Sequence, residues 1–379
     1  MHGLAVCARR QYSRLLKGCS VTIKVQDFYL IVKIVEYNQA KVFLFWRYGM
    51  EWWQMALYIL FLLVGMVLLV KGADWFVDGA SSIAKALKIP SLIIGLTLVS
   101  MGTSAPEAAV SITSAIGQNV EMSVGNVVGS NIFNTLFILG ISALIVPLTI
   151  NGDMKRFDIP IMLGLYGVML FFSFVITPWV LDTIEAIVLL VLFVGYMVSL
   201  FLRAKKTSQE AEPLSKEAEE EPKMPVWRAI LFTVLGLAAI ITGGTFTVDC
   251  AEKLALEWGM SESLVGLTIL AVGTSLPELV TSVVASIKKE NDIAIGNVVG
   301  SNIFNIVFIL GLSATITPHA LAPDAGLTMG LMFASAVALL LISLFCKQTK
   351  KWQGGVMLGV YVAFVTVLVL QNFGVIPMF

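Results

Sequence analysis

From Ala56 to the C-terminus the chain alternates long apolar runs with short polar breaks, and each run approaches the ~20 residues an α-helix needs to cross a bilayer. The pattern predicts spans near 56–72, 91–116, 122–147, 159–177 and 180–202, then 226–250, 262–286, 293–317, 325–346 and 354–373. The expected fold class is an all-α polytopic membrane protein of ten transmembrane helices. A stretch rich in Glu, Lys and Ser divides them, so the expected organisation is a five-helix repeat at 55–203, a charged cytoplasmic linker at 204–225 and a second five-helix repeat at 226–379. Residues 1–54 do not fit this pattern. They carry eight Lys and Arg, their one apolar run (28–35) is interrupted by Lys33, and no signal-peptide pattern is present. They read as a poorly ordered extension or a mis-assigned start, because Met50 and Met55 sit just ahead of the first span.

The two halves share a motif. GLTLVSMGTSAPE begins at Gly95 and GLTILAVGTSLPE at Gly266, 171 positions on, and the same offset carries GNVVGSNIFN at Gly125 onto an identical decamer at Gly296. Five spans per copy return the chain on the opposite side of the membrane, so the second copy enters inverted and the two motifs meet from opposite sides. The basic residues agree with that count. Lys71 closes the first span, and Lys85, Lys88, Lys155, Arg156, Lys288, Lys289, Lys347, Lys350, Lys351 and the cluster from Arg203 to Arg228 fall in loops after odd-numbered spans. The alternate loops hold only Lys253, which makes the odd-to-even loops cytoplasmic.

Composition narrows the picture further. A chain of 379 residues that is 58% hydrophobic and 13% charged, with a mean hydropathy of +0.88, lies outside the soluble range and is an integral membrane protein. A net charge of zero points to no nucleic acid partner. Cys7, Cys19, Cys250 and Cys346 lack paired spacing, and His2 and His319 stand alone, so neither a disulfide framework nor a zinc or haem site is expected. The acidic run in the linker lacks the spacing and turn glycine of an EF-hand.

The chemistry concentrates in the doubled motif. Pro106 and Pro277 have no N–H, so the carbonyls of Gly102 and Gly273 lose their helical partners and Ala105 and Leu276 are expected to leave α geometry. Unwound backbone at membrane depth belongs in a protein-lined cavity, where freed carbonyls become cation ligands. Beside each break stands a glutamate, Glu107 or Glu278, and each costs roughly 2.5–3.5 kcal/mol at the bilayer centre on insertion scales. No basic residue shares those spans, so protons or a bound cation must neutralise the pair. Helical spacing from Glu107 gives Ser104, Thr103, Ser100 and Ser111; the second copy supplies Ser275, Thr274 and Ser282, with Ala271 in place of Ser100. In the next span Asn126, Ser130 and Asn134 form one polar stripe, repeated as Asn297, Ser301 and Asn305. These hard oxygen donors suit calcium and sodium rather than transition metals. The GxxxG spacings Gly125/Gly129 and Gly296/Gly300 let the helices that carry them pack closely.

The pairing of GTSAPE and GTSLPE with two copies of GNVVGSNIFN resembles the alpha repeats of the sodium/calcium exchanger family, within the cation/calcium antiporter superfamily, over essentially everything after Ala56. The resemblance implies that Glu107 and Glu278 bind calcium centrally, with Ser100, Thr103, Ser104, Ala271, Thr274 and Ser275 supplying hydroxyls or carbonyls and Ser130, Asn134, Ser301 and Asn305 contributing from the next helix. Some members carry aspartate at one of the last asparagine positions; this chain has Asn at both. It further implies that the first helix of each repeat, near 56–80 and 226–251, slides past the rest. Asp78 and Asp249, also 171 apart at the ends of those helices, are expected either as vestibule residues or as helix caps. The reading is a secondary-active calcium/sodium antiporter working by alternating access in a prokaryotic plasma membrane. It needs no cofactor and no protein partner, only its ions and the bilayer. Its alternatives are a proton/calcium exchanger using the same glutamates, an intramembrane enzyme, for which no nucleophile arrangement appears, and a passive channel.

Overall fold

The computed structural model describes residues 52–210, 224–259, 271–321, 325–346, 348–372 and 375. The expectations for residues 1–51, for most of the linker and for residues 262–270 of the seventh span lie outside the described residues. Those from Met55 onward belong to one compact unit. Its helices in chain order are α1 (Trp52–Ala86), α2 (Ser91–Thr103), α3 (Ala105–Ile116), α4 (Val120–Ile145), α5 (Met154–Ile176) and α6 (Thr183–Glu210), followed by α7 (Val226–Glu257), α8 (Leu276–Ile287), α9 (Asn291–Ile316), α10 (Ala325–Phe345) and α11 (Lys351–Asn372). Among the described residues eight of these are long and apolar enough to cross a membrane, and α2 with α3, bent by 49° at their junction, makes a ninth if read as one span. The chain is a multi-pass membrane protein.

The outermost helices expose their apolar faces, as lipid contact requires, while α9 is buried over 94% of its most apolar stretch. Layered around α4 and α9 is one continuous core in which Phe133, Tyr166, Met162 and Ile303 are buried. The first helix is much longer than the expected 56–72. Hydropathy stops at Lys71, but the helix runs on to Ala86 because its later charges are paired: Lys288 Nζ lies 2.6 Å from Asp74 Oδ1 and 2.8 Å from Asp78 Oδ2. Asp78 and Asp249 consequently sit inside α1 and α7 rather than capping their ends. Close approach of α1 and α7 depends on glycine: a Cβ on Gly236 would lie 2.5 Å from the backbone nitrogen of Phe76.

Arg203, assigned by its charge to a loop, is helical and grips the buried Asp158 with both guanidinium nitrogens, tying α6 to α5. The connections also pair with one another. A two-stranded antiparallel pair, β1 (Val180–Leu181) with β2 (His319–Ala320), joins the α5–α6 and α9–α10 connections, and a bridge from Thr149 to Gln348 joins the α4–α5 and α10–α11 connections. His319 on β2 is buried, its Nε2 2.9 Å from Ser313 Oγ and 3.1 Å from Ser123 Oγ.

Candidate cation site

Where the doubled motif lies, the helix is interrupted, at Ser104 in the first copy and at Thr274 and Ser275 in the second. Ser104, at the bend between α2 and α3, has φ −80° and ψ 9°; Ser275, ahead of α8, has φ −89° and ψ 7°. The break therefore falls one residue earlier than the proline rule suggests. Ala105 and Leu276 are already helical, and Pro106 and Pro277 occupy the first turns of α3 and α8, where a missing N–H costs little because first-turn donors have no intrahelical acceptor. Glu107 and Glu278 follow in the same first turns, at the positive end of each helix dipole.

Ser104 and Glu107, like Ser275 and Glu278, have the spacing of a capping box, yet neither serine caps its own helix. Their hydroxyls cross instead. Ser104 Oγ donates to Glu278 Oε1 at 2.8 Å, and Ser275 Oγ donates to Glu107 Oε1 at 2.9 Å. The neighbouring threonines cross as well, Thr103 Oγ1 donating to Asn297 Oδ1 at 3.0 Å and Thr274 Oγ1 to Asn126 Oδ1 at 3.4 Å. Each of those asparagines then turns its amide back on its own repeat. Asn126 Nδ2 donates to Ser111 Oγ (2.9 Å) and the Glu107 carbonyl (3.2 Å), Asn297 Nδ2 to Ser282 Oγ (2.9 Å) and the Glu278 carbonyl (3.4 Å). Every one of these contacts recurs with the two copies exchanged.

The remaining sequence candidates fall around this centre. Ser275 Oγ is 3.1 Å from Ser130 Oγ, and Ser301 Oγ donates to the Ser100 carbonyl at 3.4 Å. The Ser100 hydroxyl is spent on its own helix, on the Leu96 carbonyl at 2.9 Å, while its carbonyl accepts from the Ser104 N–H at 3.0 Å. Ala271, with no hydroxyl, begins the short helical turn Ala271–Gly273. Asp249 lines a cavity of about 890 Å³ that also touches Pro106, Asn126, Ser130, Thr274 and Pro277, whereas Asp78 is held by Lys288. Sequence reasoning passed over Asn131 and Asn302, which lie in the duplicated decamer but off its four-residue stripe.

Glu107, Glu278, Asn134 and Asn305 are fully buried. Each keeps one oxygen, Oε2 in the glutamates and Oδ1 in the asparagines, with no hydrogen-bond partner among the described residues. Leaving a buried polar atom unpaired costs about 1–3 kcal/mol, and four acceptors left open with no donor among them suit a cation. Among the described residues no group of three or more His, Cys, Asp or Glu side chains gathers; the acidic groups of this centre are two carboxylates, with neutral hydroxyl and amide groups around them. Hydroxyl, amide and carbonyl oxygens are the ligands that calcium and sodium take.

Membrane-spanning helices around a buried, acceptor-rich oxygen centre make this a membrane cation transporter in class. A model of the sodium/calcium exchanger protein family matches residues 57–202 and 228–370, and the chain belongs to that family of cation/calcium antiporters. The putative antiporter CaxA of Alkalimonas amylolytica is 42% identical over 290 residues, covering 75% of this chain and 89% of its own. The sodium/calcium exchanger MaX1 of Methanosarcina acetivorans is 37% identical over 347 residues, 82% of this chain and 97% of that protein, and the inner membrane protein YrbG of Escherichia coli is 40% identical over 267 residues, 70% and 81%. The solved sodium-calcium exchanger NCX_Mj superposes with a TM-score of 0.71 at 28% identity, covering 82% of this chain and 98% of that one.

Proposed function

We propose that this chain exchanges calcium for sodium across a prokaryotic plasma membrane, carrying both ions at the centre built from Glu107 and Glu278. The observation that carries the reading is the crossed pair of carboxylates, each bound by the other copy's serine, with four buried acceptor oxygens left unpaired. Amide oxygens are too weakly basic to carry protons but are ordinary ligands for calcium and sodium, so Asn134 and Asn305 favour metal cations over a proton cargo. Ser100, Thr103, Ser104, Ala271, Thr274, Ser275, Ser130 and Ser301 complete the ligand set through hydroxyl or carbonyl oxygens.

The exchange of the Ser–Glu, Thr–Asn and Asn–Ser contacts between copies supports two five-helix repeats, at 55–203 and 226–379, related by an in-plane twofold, which gives ten spans and inverted topology. One calcium or two sodium ions neutralise the two carboxylates, and a third sodium makes transport electrogenic. An unloaded centre leaves two buried, mutually repelling charges, which opposes the conformational switch and couples the two fluxes. Localisation follows from the spans and from the likeness to YrbG, named as an inner membrane protein.

The test is uptake of radioactive calcium into proteoliposomes under an imposed sodium gradient or an imposed pH gradient. Uptake under sodium that exceeds uptake under pH is expected. Equal or greater uptake under the pH gradient alone would assign the site to proton/calcium exchange.

A further inference from the structure

We propose that Asn131 and Asn302 are positioning residues, each fixing the amide of the other repeat's site asparagine so that an oxygen, and not an NH2 group, faces the cation. The inference rests on the site reading above. Asn131 Nδ2 donates to the Asn302 backbone carbonyl at 3.2 Å and lies 3.8 Å from Met332 Sδ. Both of those atoms can only accept, so the Asn131 amide has a single orientation. Its Oδ1 therefore faces Asn305, whose Nδ2 donates to it at 3.0 Å. With its nitrogen committed there, Asn305 must turn Oδ1 the other way, and that oxygen is buried and without a partner among the described residues.

The opposite half repeats the logic with different atoms. Asn302 Nδ2 donates to Thr135 Oγ1 at 2.8 Å and lies 3.7 Å from Met162 Sδ, again an acceptor. Asn302 Oδ1 then accepts from Asn134 Nδ2 at 3.2 Å, which leaves Asn134 Oδ1 as its unpaired end. Both orienting asparagines are fully buried. An asparagine amide released from such a partner turns about its last torsion and presents N–H to the cation, which weakens binding without removing a ligand or a charge. The arrangement is crossed, like the Ser–Glu bonds: the α4 asparagine orients the α9 ligand, and the α9 asparagine orients the α4 ligand.

The test is a double-mutant cycle. Asn131→Leu is made alone, with Asn305→Asp and with Asn134→Asp, each checked for folding by size exclusion and thermal melting. Calcium affinity is read by equilibrium binding in detergent, and KM and kcat by sodium-driven uptake in proteoliposomes. Asn131→Leu alone should raise the calcium Kd and KM by about 10- to 100-fold, the range for loss of an orienting partner behind a metal ligand, with kcat near wild type. A carboxylate has no wrong end, so adding Asn131→Leu to Asn305→Asp should change Kd by less than about twofold, while its full effect should persist beside Asn134→Asp. Should the leucine variant fail to fold, Asn131→Ser tests the same coupling. An equal effect in both aspartate backgrounds, or wild-type affinity in the single variant, overturns the proposal. Glu107→Gln, measured in parallel, separates the two readings: wild-type calcium binding there would sink the site itself, whereas its loss beside an unaffected Asn131→Leu would sink only the positioning role.

Discussion

Two stretches of this protein have the same ten letters and different surroundings. In the second copy Gly296 and Gly300 are buried, and a Cβ on Gly300 would lie 2.7 Å from Ser100 Oγ and 2.8 Å from Leu96 Cα. In the first copy Gly125 is exposed and Gly129 half-buried, a Cβ on either would meet nothing within 4 Å among the described residues, and both line the cavity. The element packed on Gly296 and Gly300 is α2; most of the segment at the equivalent place in the other copy, 262–271, lies outside the described residues. Charge follows the same division. Beside the covered copy, Lys288 holds Asp74 and Asp78, and Ser81 donates to Glu290 at 2.7 Å. Position 117, the counterpart of Lys288, is glycine, and Asp249, the counterpart of Asp78, faces the cavity. Among the described residues an identical sequence is thus close-packed in one copy and lines a cavity in the other.

The largest effect should come from removing either carboxylate. Either substitution leaves calcium facing a single carboxylate, and the attraction of two unit charges at about 4 Å is about 4 kcal/mol at an effective dielectric of about 20, so Glu107→Gln and Glu278→Gln should each lower calcium flux by at least about a hundredfold. A large difference between the two variants would break the symmetry of the site. Next come the glycines. Gly300→Ala forces a methyl group against α2 backbone and should cost about 1–3 kcal/mol, seen as a lower melting temperature. Gly129→Ala should melt like wild type, and on the proposed alternating-access reading, in which this glycine is covered in the other state, it should slow sodium-driven calcium uptake. Equal melting of the two alanine variants would dissolve the distinction between the copies.

A smaller shift is expected from Lys288→Met. A partly exposed ion pair is worth up to about 1 kcal/mol, so cysteines placed on the face near Lys288 should gain reactivity toward a water-soluble thiol reagent by no more than about fivefold. A pH-dependent effect concerns His319, whose counterpart in the first copy is the buried Leu148. Burial pushes the His319 pKa down from its ordinary 6.5 to about 4. Protonation therefore favours the unfolded chain, so the stability that neutral His319 contributes is complete above pH 6.5 and is lost as pH falls toward 4. Melting temperature should drop across that window, and His319→Gln should flatten the drop.

Much of the architecture is legible before any coordinates. Bilayer-length apolar runs and the offset of 171 give the helices and their duplication, and Glu107 and Glu278 announce themselves as charges without partners in apolar sequence. The first helix was misjudged at Lys71, because hydropathy cannot see that Asp74 and Asp78 answer a lysine more than two hundred residues away. Helical counting placed Ser104 with Glu107, its neighbour along the chain, whereas the hydroxyl serves Glu278. Local spacing has no access to a contact made between the two copies of the motif. Asn131 and Asn302 were hidden for a related reason: their partners lie on the facing helix, and only an amide network in space assigns their orientation.

The central claim is that the two glutamates form one shared site rather than two separate ones. It is tested most directly by equilibrium binding of radioactive calcium to the purified protein, with and without competing sodium, in wild type, Glu107→Gln and Glu278→Gln. The account predicts a single class of calcium site, displaced by sodium in the wild type and lost in both single variants, because each carboxylate is bound by the other copy's serine. Calcium binding that survives at half stoichiometry in either variant, or that sodium does not displace, would contradict it.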